Sequence, residues 1–182
     1  MSILLNGGVD MSFKISWKVH ILCFLLAYGF CYIQIDNIGN VFLDLVINYK
    51  FFCLTGFYFL DMIIATLILM IPITLLHEII HGIAYSVFRE KIKFGFKGIY
   101  AYTQEISGVI LHRTKFVIIL LAPVTIISLI TLLFTNSLGA LIFLLNFLGS
   151  TGDIIMSIYL CKSSKNSYIK DRKYGFDIVN KI

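Results

Sequence analysis

The sequence predicts an all-α membrane protein, with about four transmembrane helices and a small β-hairpin at the cytoplasmic surface between the second and third. Three observations predict it. Apolar residues make up 59% of the 182 residues and charged ones only 14%, against roughly 45–50% and about 25% in soluble domains. Positions 116–152, a run of 37 residues, contain no Asp, Glu, Lys or Arg, whereas ~18–20 apolar residues already span a bilayer as a helix. The basic residues gather in two segments, 89–115 and 162–182, with six in each. This distribution excludes an ordinary soluble domain, a disordered chain and a nucleic-acid binder. In a membrane protein the net charge of +5 marks cytoplasmic loops rather than an acidic partner.

The chain reads as a single integral-membrane domain over 1–182, without an internal repeat or a low-complexity linker. A first span at about 15–35 follows Asp10, Lys14 and Lys18. Its apolar run lacks a small-residue cleavage motif, so it reads as a retained span rather than a signal peptide. Asp36, Asn37, Gly39, Asn40, Asp44 and Lys50 then mark a loop. The apolar block 51–88 has 38 residues, ~57 Å as a helix and too long for one crossing. It divides into a short interfacial piece near 51–60 and a second span at 61–88, which Pro72 can kink.

The texture changes at Arg89. Residues 91–103 begin with polar–apolar alternation, Gly95, Gly98 and Gly108 punctuate the region, and 106–111 offers a return strand; this pattern gives the hairpin. The third span is about 116–134, a turn follows at Thr135, Asn136, Ser137 and Gly139, and the fourth span is about 138–161. Within it, Gly149 and Gly152 would let a neighbouring helix come close. Residues 162–182 read as a basic cytoplasmic tail. The loop after the first span carries only Lys50 and the turn at Thr135 carries no basic residue. Both termini and the hairpin therefore face the cytoplasm of a multi-pass protein, expected in the cell membrane. Cys23, Cys31, Cys53 and Cys161 are dispersed and fit packing roles.

The second span carries His77-Glu78-Ile79-Ile80-His81. On a helix, positions i and i+4 share a face, so two imidazoles can close on one metal ion while the glutamate between them reaches a water as general base. Zn2+ suits two imidazoles and a carboxylate, with a fourth position left open. The alternative, hydrogen-bonded packing between spans, is weaker because ionisable groups within a bilayer are costly. A third ligand belongs at the same depth. His81 lies eight residues before Arg89 and Asp153 nine before Lys162, so both fall ~12–14 Å from the cytoplasmic boundary. His112 and His20 read as interfacial residues, as does Asp61. Nothing in the spacing of Glu105 places it at the site.

His77-Glu78-Ile79-Ile80-His81-Gly82 in one span, with Gly152-Asp153 in a later one, resembles the site-2 protease class of intramembrane zinc metalloproteases. The short length and the elements Tyr100-Ala101-Tyr102, Leu121-Ala122-Pro123 and Gly152-Asp153 resemble more closely the DUF3267 putative zincin peptidase family, over roughly 64–161. The resemblance implies that His77, His81 and Asp153 bind zinc and that Glu78 activates water. The chain departs from the larger site-2 proteases, for Asn146 is not followed by proline and Asp153 follows glycine. Asn146 is left open between orienting a substrate backbone and packing.

The expected function is an intramembrane zinc metalloendopeptidase that hydrolyses a membrane-associated protein or peptide near the cytoplasmic face, its partners being that substrate and the lipid bilayer. The 91–103 strand is the candidate for holding substrate extended by β-addition. The competing reading from another class is a non-proteolytic metal-binding or transport protein using the same three ligands. A transporter calls for repeated sites across the membrane, and the outer half offers only Asp61. A third reading, a non-catalytic relative that sequesters peptides, leaves Glu78 without a purpose.

Overall fold

The computed structural model describes residues 9–48, 55–97, 100–134, 136–172 and 174–179. Strand β1 (Val9–Lys14) leads into helices α1 (Trp17–Ile33), α2 (Ile35–Asn48) and α3 (Tyr58–Val87). Strands β2 (Ile92–Lys97), β3 (Tyr100–Glu105) and the short β4 (Leu111–His112) follow, then helices α4 (Arg113–Thr131), α5 (Ser137–Gly149) and α6 (Thr151–Cys161). Strands β5 (Tyr168–Arg172) and β6 (Gly175–Val179) complete the described residues. The protein is thus mostly helical, as expected, with two small antiparallel sheets.

Helices α3 and α4 are each long and apolar enough to cross a membrane, with mean hydropathy of 2.4 and 2.1 in their best windows. The pairs α1–α2 and α5–α6 are bent by 76° and 51°, which gives two to four candidate spans. On α3, Leu67, Ile71, Leu75, Ile79 and Ile83 are exposed while Asp61, His77 and His81 are buried. An apolar outside around a polar inside is the arrangement that suits hydrocarbon solvent. Pro72 lies within α3, which continues through it.

Several expectations change. The loop expected after the first span is helix α2. Asn37, Gly39, Asn40 and Asp44 suggest a loop, but Ile38, Val41, Phe42 and Leu45 recur at helical spacing and pack onto Leu141 and Leu144 of α5. Ser137 donates a hydrogen bond to Asp44 across the same contact. Of the interfacial piece expected at 51–60, residues 51–54 lie outside the described residues, and Tyr58–Leu60 open α3. The expected fourth span is two helices broken at Ser150, whose N–H and Oγ both bond the Asn146 carbonyl, at 2.9 and 2.7 Å. Gly149 and Gly152 are not close-approach points, since a Cβ at either would meet nothing within 4 Å.

The hairpin is present between α3 and α4, but its return strand is β3 rather than 106–111, in register from Ile92↔Glu105 to Lys97↔Tyr100. It docks on α3 at Gly82, where a Cβ would stand 2.5 Å from the Phe94 ring. Residues 162–182 do not form only a basic tail. Strands β5 and β6 join β1 and β4 in a four-stranded sheet of order β1-β6-β5-β4. Phe13, Ile169, Phe176 and Ile178 bury themselves against Phe116, Ile119, Leu120 and Leu160 of the helices. The β5–β6 turn requires glycine, because Gly175 has φ +136° and its Cβ would lie 2.1 Å from the Phe13 carbonyl oxygen. The sheet draws together the segments before α1, before α4 and after α6, and so sets all three at one end of the helices.

Candidate metal centre

Helix α3 supplies two imidazoles one turn apart, His77 and His81, both buried. Each is held through its outer nitrogen. His77 Nδ1 lies 3.3 Å from Asn146 Oδ1 of α5, and His81 Nδ1 lies 2.9 Å from the Ile119 carbonyl oxygen of α4. A carbonyl oxygen can only accept, so both Nδ1 atoms carry the hydrogen and both Nε2 atoms present lone pairs inward.

Asp153, in the first turn of α6, meets them there. Its Oδ2 is 3.1 Å from His77 Nε2 and 3.4 Å from His81 Nε2, and the two Nε2 atoms are 3.1 Å apart. The side chains are 10–13% exposed. Two imidazole lone pairs and a carboxylate oxygen directed at one another repel unless something electron-poor lies between them. Ligands of a tetrahedral zinc site, bonded at ~2.0–2.1 Å, stand ~3.3 Å apart, close to the separations found here. The group can therefore hold a metal ion, and its ligand chemistry suits zinc.

Glu78 lies beside His77 on the same helix, and its Oε2 is a buried atom without a hydrogen-bond partner among the described residues. The backbone carbonyl of Glu78 accepts from Thr103 Oγ1 at 3.0 Å, which ties the hairpin to this turn of α3. Glu78, His81 and Asp153 line a cavity of about 380 Å3 whose other walls include Phe96, Tyr102, Thr103 and Gln104 of the hairpin.

Asn146, ambiguous in the sequence, is 1% exposed with its amide oxygen on His77. Its place is behind the imidazole. Such outer partners orient metal ligands, and losing one costs ~10–100-fold in affinity. Asn146→Leu is expected to weaken metal binding by about that factor, read by competition with a chromophoric chelator. Unchanged affinity would show that the contact orients nothing.

The remaining polar residues divide. His112 caps α4, accepting from Thr114 N–H at 3.2 Å, and His20 is exposed on α1. Asp61, in the first turn of α3, is 1% exposed and accepts from the Thr55 N–H and Oγ1, both at 2.7 Å. Glu105 turns its carboxylate toward Ser107 and Gly108.

Two residues of this cavity carry no mark in the motif: Tyr85 and Asp171. Tyr85 follows His81 by four positions and was findable on helical spacing. Asp171, on a five-residue strand, had no such signal. Its Oδ2 accepts from the Tyr85 hydroxyl at 3.1 Å and the Glu105 N–H at 3.0 Å. Burial nevertheless pushes this carboxyl up to about 6.

An unfolded-chain aspartate titrates near ~3.9, so the folded protein retains this proton between pH ~4 and ~6. Stability therefore falls as pH rises through that window, and a penalty of about 3 kcal/mol remains above it. Asp171→Asn keeps an acceptor for both donors and removes the charge. The variant is expected to melt several degrees higher than the parent at pH 7.5, with the gap closing near pH 4. A lower melting point at pH 7.5 would contradict this.

The family described as a putative zincin peptidase (DUF3267) matches residues 69–168. The match takes in His77, Glu78, His81, Asn146 and Asp153, and stops short of Asp171. No curated protein and no solved structure matches the chain.

Proposed function

Because the chain belongs to the DUF3267 putative zincin peptidase family, we propose that it is an intramembrane zinc endopeptidase, hydrolysing a peptide bond of a membrane-associated protein or peptide near the cytoplasmic face. The observation that carries the reading is the convergence of His77, His81 and Asp153, with His81 and Asp153 lining one cavity beside Glu78, whose Oε2 has no hydrogen-bond partner among the described residues.

His77, His81 and Asp153 would hold the ion, and zinc bound there would supply Lewis acidity that polarises a carbonyl and lowers the pKa of water. Asn146 and the Ile119 carbonyl keep the two imidazoles turned inward. Glu78 Oε2 takes the proton from the attacking water and returns it to the departing amine. Aromatic and aliphatic walls reduce the water around that transfer, which strengthens the electrostatic contacts within.

A helical substrate shields its peptide bonds, so it must be unwound before attack. The two-stranded hairpin lies against the cavity and can take an extended segment along its edge. The basic residues at this end support a cytoplasmic orientation for it. A pure metal carrier would gain nothing from a carboxylate with a free oxygen beside its ligands, which favours the peptidase over the carrier.

The test is chelation. Purified protein in nanodiscs, given a quenched fluorescent transmembrane peptide, is expected to lose turnover with 1,10-phenanthroline and to regain it with stoichiometric zinc. Turnover indifferent to the chelator would refute a metallopeptidase.

A further inference from the structure

The cavity that contains Glu78, His81 and Asp153 extends along α3 to a carboxylate that the proposed hydrolysis does not use. Asp171 lines its far side, held by the Tyr85 hydroxyl and the Glu105 N–H. The walls between are largely apolar or aromatic, with Phe96, Tyr102, Phe116 and Met156 among them. Among the described residues Asp171 has no ion-pair partner. Arg172, the only lysine or arginine among the described residues that line the cavity, directs its Nε to Asp177 at 2.8 Å.

A bound metal would balance charge at the triad, but it leaves Asp171 uncompensated at the other end. Partial burial without a countercharge raises this carboxyl to about 6, and an incoming cation would relieve that cost. The position along α3 gives the reach. Tyr85 is one helical turn beyond His81, ~6 Å along the axis, which an extended peptide covers in about two residues.

We propose that Asp171 is a specificity residue of this site, receiving a lysine or arginine side chain of the substrate about two positions from the bond to be cleaved. The inference rests on the peptidase reading for the identity of the ligand, a peptide, but it can be tested without turnover. A carboxylate held by a hydroxyl and a backbone amide, at the end of an apolar channel, suits the aliphatic stem and charged head of such a side chain. The residue lies beyond the segment that matches the family.

The experiment uses the full chain carrying Glu78→Gln, which binds without turning over, in detergent micelles loaded with zinc. The probes are fluorescein-labelled apolar decapeptides that differ at a single position, lysine in one and norleucine in the other, with that position scanned along the peptide. The lysine peptide is expected to bind about tenfold more tightly at its best position. Adding Asp171→Asn is expected to bring it to the norleucine level and leave the norleucine peptide unaffected. Zinc content and melting temperature of the double variant establish that the site and fold persist.

Equal binding of the two peptides at every position, a lysine preference that survives Asp171→Asn, or no binding of either peptide would each overturn the proposal. The peptidase reading fails on a different result, turnover by the parent protein that ignores chelation.

Discussion

Glu78→Gln is expected to keep its metal and to lose peptide hydrolysis by a factor of ~10²–10⁴, the usual contribution of a positioned general base. Glutamine has nearly the same shape and can still hydrogen-bond, so the helix and the cavity should survive; what disappears is the capacity to take a proton. The structure makes the comparison clean because Glu78 lies beside the metal-holding group rather than in it. Its Oε2 is buried and unpartnered, and the three convergent ligand atoms come from His77, His81 and Asp153. Metal content by mass spectrometry and cleavage of a membrane-embedded reporter, measured on one preparation, separate the two effects. Equal turnover by variant and parent would eliminate Glu78 as the base, and loss of metal would make it a ligand instead.

Asp153→Ala is expected to empty the site. Its Oδ2 is the one anionic atom facing the two imidazoles, at 3.1 and 3.4 Å. Without it, two neutral rings remain in a poorly solvated place, able to offer a divalent ion two donors and no charge. Removal of a direct ligand should exceed the ~10–100-fold effect of removing an outer partner, so the expected loss of affinity is more than about 100-fold, and hydrolysis goes with it. Zinc titration against a competing chelator reads the first effect and the reporter reads the second. A variant that still holds one metal ion per chain would place the ion elsewhere.

How much of this was legible in the sequence depends on the range over which each feature is encoded. The His77–His81 pair was readable because the helical repeat converts a spacing of four into proximity. Asp153 was readable because His81 and Asp153 stand eight and nine residues from the basic ends of their apolar segments, a spacing that sets them at one level if both segments cross together. The hairpin was visible in its alternation, although its return strand was placed six residues late. Helix α2 was misread because Asn37, Gly39 and Asn40 are local loop signals, whereas its apolar face matters only once Leu141 and Leu144 are present to cover it. The break at Ser150 lies in a stretch with Asn146, Gly149, Ser150, Thr151, Gly152 and Asp153, whose glycines suggest close helix approach as readily as a bend.

By itself the sequence carried the candidate spans, the possible metal ligands and the family. Composition gave helices apolar enough to cross a membrane, the His77–His81 motif pointed to a metal, and the elements from Tyr100 to Asp153 carried the likeness. Only the tertiary structure decided that strands from both ends of the described chain build a sheet over the helix ends, that Asn146 stands behind His77, and that Asp171 enters the same cavity as Glu78. The physical reason is the distance over which information acts. Periodicity and burial cost are written within one helix, whereas strand partners 165 residues apart, such as Ser12 and Asp177, become neighbours only when helix packing brings their backbones together.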